Sequence, residues 1–427
     1  MQGKLFCYSE KNTTFAEYIP EKLQLLWIIF LKSCVFYCLY SKKVVLFCQE
    51  VFMINRLTAE RIEAAAKSKK IVILLGARQV GKTTLLKSLF QNSDSTLWLN
   101  GDELDVQNLF ANLSIDRFKA YLGKNRILVI DEAQRIEDIG LRLKILADSL
   151  NDIQIFATGS TSFDLANRVN EPLTGRKREF QLFPLSFKEL VSNSDLLTEK
   201  RMIPHRLVFG SYPEVVMSHG SETEILKELS QSYLYKDILS FEKIRHSDKL
   251  IKLLQALAWQ IGSQVSYNEL AQICSIDSKT VEHYITILEQ AFIIFRLGTF
   301  SRNLRNELKN NRKIYFYDNG IRNAIIANFS AVENRNDAGA LWENYLISER
   351  IKKNSYDGII ANTAFWRTKE QQEIDYLEEH DGNLCAYEFK WSEVAAKKTR
   401  VPLTFSRAYP NSKFSVITPQ NVEDFLL

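Results

Sequence analysis

The hydrophobic pattern of the chain alternates between short apolar runs and segments whose apolar residues recur at helical spacing. Residues 71–75 (IVILL) are continuously apolar, as in a strand buried on both faces, and residues 84–90 have the spacing of an amphipathic helix. Further strands are predicted at residues 95–100, 126–132 and 154–158. Strands that alternate with helices predict a parallel α/β domain of three layers, which we expect to end near residue 190.

The segment between the first of these strands and its helix has the composition of a phosphate-binding loop. It consists of Gly76, Ala77, Arg78, Gln79, Val80, Gly81, Lys82 and Thr83, followed by Thr84. The two glycines let the backbone curl so that several N–H groups face one anion, and the helix adds the positive end of its dipole. We expect Lys82 to reach the β- and γ-phosphates of ATP and the Thr83 hydroxyl to hold Mg²⁺.

Two later strand ends carry polar residues that complete such a site. Asp131 and Glu132 end the strand predicted at 126–132, where ligands of parallel sheets bind. We expect Asp131 to hold Mg²⁺ through water, and Glu132 to orient and polarise the water that attacks ATP. Ser160 follows the next strand and is predicted to sense the γ-phosphate. The alternative is that Ser160 caps a helix that begins near Ser162.

Length and composition indicate the number of domains and the cellular compartment. A chain of 427 residues predicts two or three domains. The formal net charge of +4 permits a nucleic-acid partner without arguing for one. The six cysteines do not form a regularly spaced set, which favours a reducing, cytoplasmic location over a disulfide framework.

The first 52 residues differ in composition from the rest of the chain. Residues 23–40 are largely apolar and long enough to span a bilayer, but Lys32 lies near the centre of this run. Three interpretations stay open: a translated upstream extension before a native start at Met53, a membrane anchor, or a packed helix. We favour the start at Met53, because the globular composition begins there. A membrane role would then require residues 1–52 to be native.

Residues 249–318 have the order of a winged helix. Helical spacing at 250–261, 267–273 and 278–290 is followed by a strand at 292–297. The helix at 278–290 is the predicted recognition helix. Its residues predicted to face a DNA groove are Lys279, Thr280, His283 and Tyr284. Winged helices also connect proteins to proteins, so contact with DNA is one of two interpretations.

The last third of the chain contains a second set of acids. Side chains two apart on a strand share a face, so Glu373 points with Asp375, and Glu388 with Lys390. Carboxylates that converge from adjacent strands are ligands for Mg²⁺ or Mn²⁺. The metal would activate a water for attack on a phosphodiester, and Lys390 would position that water or stabilise charge.

The order of motifs from about Met53 onward resembles a family of AAA-type ATPases of bacteria and archaea with a C-terminal domain of long-unknown function. The motifs are GARQVGKTTLL, ILVIDEAQR, ATGSTSF, LTGRKREFQLFPLSFKEL and GSYPEV. The resemblance implies an AAA+-like P-loop NTPase domain at 53–190, a helical linker at 191–248, a winged helix at 249–318 and an α/β restriction-endonuclease-like domain at 319–427. Arg176 matches a recurrent family position. It is either an arginine finger for the ATP of a neighbouring subunit in a homo-oligomer, or part of a structural salt bridge.

The acids of the last domain resemble the PD-(D/E)XK nuclease superfamily. Asp375, Glu388 and Lys390 match its signature and Glu343 matches its helical acid, although no Pro-Asp pair stands at the first acid. The resemblance implies Glu343, Asp375 and Glu388 as metal ligands and Lys390 as a catalytic residue. Two functions follow. The first is an ATP-dependent enzyme that cleaves nucleic acid, with DNA as the expected substrate. The second is a nucleotide-switched DNA- or protein-binding module without nuclease activity.

Overall fold

A computed structural model describes the chain from residue 54 to 427, except residues 91–94, 151, 161–172, 219, 233–246 and 302–311. Before residue 54 it describes only the backbone of five strands. The chain divides into two units, Met1–Ile54 and Asn55–Leu427. Met53, the predicted start, lies outside the described residues.

The first unit contains strands where a helix was one expectation. The strands are β1 (Gln2–Tyr8), β2 (Thr13–Pro20), β3 (Leu26–Ile29), β4 (Val35–Tyr40) and β5 (Lys43–Cys48). β1 pairs with β2, and β3, β4 and β5 form a second antiparallel sheet. The apolar run at 23–40 thus contributes strands β3 and β4. In the part of the chain that the structure describes, no helix is long and apolar enough to span a membrane.

The second unit opens with the predicted parallel α/β domain. Its elements are α1 (Ala59–Ala66), β6 (Ile71–Gly76), α2 (Lys82–Phe90), β7 (Thr96–Asn100), α3 (Leu104–Ala111), α4 (Ile115–Leu122), β8 (Ile127–Asp131), a 3-10 turn (Ala133–Arg135), α5 (Ile139–Ser149), β9 (Gln154–Gly159) and β10 (Lys177–Leu182). The strand order is β10-β6-β9-β8-β7, and every pair is parallel. All six residues of the interior strand β6 are buried, which explains its unbroken apolar run.

Short helices follow the first sheet. They are α6 (Phe187–Asn193), α7 (Leu196–Phe209), α8 (Pro213–Met217) and α9 (Glu222–Ser232). Ser186 and Glu189 form a capping box at the start of α6, so two backbone N–H groups of its first turn are satisfied. Glu189 is fully buried, and it takes part in the contacts of the phosphate loop described below.

The segment predicted as a winged helix contains both helices and strands. Its described elements are α10 (Ser247–Trp259), β11 (Gln264–Val265), α11 (Tyr267–Cys274), α12 (Ser278–Gln290), β12 (Ile294–Thr299) and β13 (Arg312–Phe316). β13 lies between β11 and β12 and pairs with both in antiparallel fashion. β12 also pairs in parallel with a strand of the last third, through Gly298 and Thr299. One sheet therefore runs across the boundary predicted near residue 318.

The last third completes this second sheet. Its elements are α13 (Asn319–Ile325), α14 (Ala338–Asp357), β14 (Asn362–Arg367), β15 (Glu373–His380), β16 (Asn383–Phe389), α15 (Glu393–Lys398), α16 (Leu403–Ala408), β17 (Lys413–Ile417) and α17 (Glu423–Leu426). The seven strands have the order β11-β13-β12-β14-β15-β16-β17. Helix α14 has 20 residues, so it is about 30 Å long at 1.5 Å per residue. It carries Glu343 near its start and Tyr356 near its end.

Candidate functional site

The phosphate loop joins β6 to α2 at the predicted position, and the structure explains why both of its glycines are required. A Cβ atom on Gly76 would lie 2.1 Å from the carbonyl oxygen of Leu182, so only glycine lets β10 approach this closely. Gly81 has a φ of +95°, which side chains disfavour. The ammonium group of Lys82 is buried in the loop and donates to the carbonyl oxygens of Gly76 (2.9 Å) and Ala77 (2.7 Å).

Asp131 lies beside the loop and is held by two hydroxyl groups. Thr83 Oγ1 donates to Asp131 Oδ2 at 2.8 Å, and Thr158 Oγ1 donates to Oδ1 at 2.5 Å. The same Thr158 hydroxyl accepts a hydrogen bond from the backbone N–H of Glu132 at 3.1 Å. Hydroxyl and carboxylate oxygens are the ligands that Mg²⁺ prefers, so the residues present fit the predicted ion. Sequence reasoning missed Thr158, which lies within the buried strand β9.

A glutamine that was not predicted joins Glu132 to Ser160. Gln134 Nε2 donates to Glu132 Oε2 at 2.5 Å and to Ser160 Oγ at 3.0 Å. Glu132 has a left-handed backbone (φ 48°), and the 3-10 turn that follows brings the Gln134 side chain back beside it. The only signal in the sequence was a polar residue two positions after the acid. The helix that Ser160 might alternatively cap lies outside the described residues.

Arg176 lies at the other end of the sheet in this subunit. Its carbonyl oxygen accepts a hydrogen bond from Ile71 N (2.9 Å), at the start of β6, whereas the loop follows the end of β6. Its Nε atom forms an ion pair with Asp148 Oδ1 at 2.8 Å, and each side chain is 45% exposed. The structure therefore contains the salt bridge, and Arg176 does not reach the loop of its own chain. A role at the ATP of a neighbouring subunit stays a prediction.

Arg56, also missed from the sequence, connects the loop to the last third of the chain. Its guanidinium donates to Val80 O in the loop (2.7 Å), to Phe183 O (2.6 Å) and to the hydroxyl of Tyr356 on α14 (3.1 Å). It also pairs with Glu189 at 2.8 Å, and both side chains are buried. Burial alone would lower the pKa of Arg56, but the carboxylate of Glu189 raises it.

The structure brings the predicted acids of the last third close enough to interact. Asp375 Oδ2 accepts a hydrogen bond from the backbone N–H of Phe389 at 2.8 Å, and Lys390 Nζ pairs with Glu388 Oε1 at 2.6 Å. Burial, and then the nearby Asp375, raise the pKa of Glu343 to about 7. The same two causes raise the pKa of Glu388. Burial lowers the pKa of Lys390, but Asp375 and Glu388 raise it by more.

An unpredicted lysine pairs with two acids of this cluster. Lys313 of β13 forms ion pairs with Glu343 Oε1 (3.0 Å) and Glu373 Oε1 (2.5 Å), and its side chain is 3% exposed. The Tyr315 hydroxyl donates to the same oxygen of Glu343 at 2.6 Å. Among the described residues, no group of three or more acidic, histidine or cysteine side chains is arranged to hold a metal ion.

The metal centre expected from Glu343, Asp375 and Glu388 stays a prediction. Asp375 lies near the other two carboxylates, as its effects on their pKa values indicate. However, the ammonium group of Lys313 lies against Glu343, one of the expected ligands. Its single positive charge offsets part of the negative charge of the cluster, whereas a divalent cation would bring two charges.

The predicted recognition helix is α12, and Asp277 caps it by accepting from the N–H groups of Lys279 and Thr280, both at 3.0 Å. Lys279 and His283 are exposed and remain able to contact a partner. Tyr284 is 5% exposed and packs in the core, which corrects the prediction that it faces a groove. It shares the buried face of α12 because it lies three residues after the buried Val281.

Comparison with known proteins matches three segments to family models. Residues 68–191 match an AAA domain, residues 200–332 a domain of unknown function (DUF8612) and residues 338–425 another (DUF4143). Residues 68–191 form an α/β P-loop NTPase domain of the AAA type. The match covers the phosphate loop, Asp131, Glu132 and Ser160.

Relatives of similar length occur in bacteria and archaea. An uncharacterised protein of Mycobacterium tuberculosis is 24% identical over 350 residues, 79% of this chain and 75% of its own. An uncharacterised protein of Methanocaldococcus jannaschii is 24% identical over 339 residues, 74% of each chain. Among solved structures, a Walker-type ATPase of Pyrococcus abyssi is 16% identical with a TM-score of 0.45, covering 64% of this chain and 96% of its own. Cdc6p of Pyrobaculum aerophilum is 13% identical with a TM-score of 0.30, covering 66% of this chain and 97% of its own.

Proposed function

We propose that this chain binds ATP together with Mg²⁺ and hydrolyses it. One observation carries the proposal: Asp131 lies directly beside a phosphate loop and accepts hydrogen bonds from the hydroxyl groups of Thr83 and Thr158. The Thr158 hydroxyl also accepts a hydrogen bond from the backbone N–H of Glu132. ATP hydrolysis requires a hydroxyl group and a carboxylate beside the phosphate loop to hold Mg²⁺, and Thr83 and Asp131 are such a pair.

Each side chain then has a chemical role. Lys82 leaves the loop carbonyls and contacts the phosphates, while Thr83 and Asp131 hold Mg²⁺. When bound, Mg²⁺ neutralises charge on the phosphates. Glu132 orients and polarises the attacking water. Ser160 detects the γ-phosphate at the end of β9.

The test is Mg²⁺-dependent hydrolysis of ATP by the full chain and two lysine variants. Lys82→Ala should abolish hydrolysis, because no other lysine of α2 lies in the loop. Lys87→Ala is the matched control: Lys87 belongs to the same helix but is exposed, so hydrolysis should persist. Hydrolysis that survives Lys82→Ala, or that needs no Mg²⁺, would refute the proposal.

We infer that the state of the loop reaches the last third of the chain through Arg56. Arg56 contacts Val80 of the loop and Tyr356 at the end of α14 through hydrogen bonds of 2.7 and 3.1 Å. The other end of the same helix carries Glu343 of the acidic cluster. A shift of Val80 on nucleotide binding would therefore move a rigid helix whose far end lies beside Lys313 and Asp375.

For residues 249–427 we favour a nucleotide-switched binding module over a nuclease. The ion pairs of Lys313 with Glu343 and Glu373 support this choice, since they give these two acids a positive partner other than a metal. The proposed partner is DNA, contacted by the exposed Lys279 and His283 of α12. Cleavage of nucleic acid is the second candidate, because Asp375, Glu388 and Lys390 converge as in the resembling nucleases. Cytoplasmic location and a homo-oligomer that uses Arg176 are further parts of the proposal.

One pair of assays separates the two candidates. Duplex DNA binding is measured by fluorescence anisotropy with ATP and with ADP, and cleavage is measured with Mg²⁺ or Mn²⁺. We expect binding that depends on the nucleotide and no cleavage. Cleavage lost in Asp375→Asn but kept in the control Asp381→Asn, an exposed acid of the β15–β16 turn, would establish the nuclease instead. Binding that is equal with ATP, ADP and no nucleotide would contradict the switch.

A further inference from the structure

The side chain of Gln134 connects two groups of the ATPase site, and we propose that it is a positioning residue for ATP hydrolysis. The inference rests on the proposed ATPase function. Gln134 lies in the 3-10 turn after β8 and is 4% exposed. Its amide contacts Glu132, which acts on the attacking water, and Ser160, which acts on the γ-phosphate. It would touch neither ATP nor the water itself.

The geometry fixes which way the amide points. The NH₂ group has two hydrogens, and one acceptor is available for each: Glu132 Oε2 at 2.5 Å and Ser160 Oγ at 3.0 Å. A flipped amide would place its oxygen against the carboxylate of Glu132, where two acceptors repel. The amide oxygen is buried and has no hydrogen-bond partner among the described residues. The two donated hydrogen bonds therefore decide the orientation of the side chain.

This arrangement makes the orientation of Glu132 depend on Ser160. Glu132 follows β8 and Ser160 follows β9, so the two groups lie on neighbouring strand ends, and the Gln134 amide joins them. The Ser160 hydroxyl accepts from the Gln134 amide and still has its own hydrogen to donate to a γ-phosphate, so both contacts can exist together. The amide would then hold the Glu132 carboxylate in a fixed direction relative to the γ-phosphate.

Because Gln134 contacts Glu132 and Ser160, we expect it to affect the turnover of ATP more than the binding of ATP. ATP affinity is set by the loop and Lys82, which Gln134 does not contact. Turnover depends on the direction of the Glu132 carboxylate, and a misplacement of about 1 Å can cost about a hundredfold.

The experiment compares kcat and ATP affinity in the full chain, Gln134→Met, Ser160→Ala and the double variant. Gln134→Met should lower kcat by about ten- to a hundredfold and leave the ATP affinity nearly unchanged. The double variant should be no slower than the slower single variant, because both changes break one link. Gln154→Met is the matched control: its amide donates to Lys70 O at 2.6 Å and its oxygen is also buried without a partner, but it starts β9 at the opposite edge.

The outcomes separate this inference from the ATPase proposal. A chain that hydrolyses no ATP overturns both. Hydrolysis that Lys82→Ala abolishes but Gln134→Met leaves unchanged overturns the role of Gln134 alone, as do additive effects in the double variant or an equal loss in Gln154→Met. If Gln134→Met does not fold, Gln134→Leu also lacks both donors. It must show the same loss of kcat with the same nearly unchanged ATP affinity.

Discussion

The hydroxyl of Tyr356 joins helix α14 to the phosphate loop, and Tyr356→Phe removes that hydroxyl while it keeps the ring. The hydroxyl accepts hydrogen bonds from Arg56 Nη2 and from the backbone N–H of Phe183, both at 3.1 Å. Arg56 keeps Glu189 and two carbonyl oxygens as partners, but the buried N–H of Phe183 loses its acceptor. A buried donor without a partner costs about 1–3 kcal/mol, so the free energy of unfolding should fall by about this amount.

Two measurements test this prediction. Urea denaturation, followed by tryptophan fluorescence, gives the change in the free energy of unfolding. Hydrogen exchange of the α14 amides, with and without ATP, reports the coupling. ATP should protect the α14 amides in the parent chain and protect them less in Tyr356→Phe, because the hydroxyl is the contact between Arg56 and α14.

Tyr345→Phe supplies the matched control on the same helix. Tyr345 is 5% exposed, and its hydroxyl is buried with no hydrogen-bond partner among the described residues. Removing an unpaired buried hydroxyl should leave stability unchanged or raise it slightly. If Tyr356→Phe is as stable as Tyr345→Phe, or if ATP protects α14 equally in both, the reasoning about Arg56 and Tyr356 is refuted.

Three further predictions follow from named contacts. Glu132→Gln should lower ATP turnover by about 10²- to 10⁴-fold while ATP still binds; equal turnover in a steady-state assay would contradict its role. Lys313→Met should cost about 3–5 kcal/mol of unfolding free energy, because it removes the buried ammonium group that pairs with both Glu343 and Glu373. Lys313→Met/Glu343→Gln should recover part of this loss in urea denaturation. The hydrogen bonds from Arg335 and Arg322 outweigh burial and lower the pKa of Asp337 to about 2 from 3.8. Because this pKa is lower in the folded state, the free energy of unfolding of the parent should exceed that of Asp337→Asn by about 2 kcal/mol above pH 3.8. The difference should shrink as the pH falls to about 2. A difference that does not depend on pH would contradict this prediction.

The nucleotide site was largely predictable because it is local in sequence. A strand, a glycine loop and a helix are consecutive, so the roles of Gly76, Gly81 and Lys82 follow from neighbouring residues. Asp131 could be added because carboxyl ends of parallel strands share one edge. Thr158 could not, since its side chain is one polar group inside an apolar strand. Only the register of β8 beside β9 brings it to Asp131.

The last third shows where the sequence signal ends. Alternation along a strand placed Glu373 with Asp375, and Glu388 with Lys390, on shared faces. Nothing in that alternation indicates Lys313, which precedes Asp375 by more than sixty residues and arrives through β13 of the shared sheet. Its ion pairs place an ammonium group against Glu343, one of the predicted metal ligands. Tyr284 was misjudged for a related reason: which face of α12 is buried depends on what packs against it.

The sequence by itself determined the parallel α/β domain, its phosphate loop and the two acids at the end of β8, because hydrophobic periodicity and turn chemistry act between neighbouring residues. The tertiary structure decided which distant side chains meet. Arg56 precedes Tyr356 by three hundred residues, and their hydrogen bond exists only because α14 packs beside the loop. Burial gives such contacts a large energetic effect, because a charge or hydrogen-bond donor that is removed from water needs a partner within the fold.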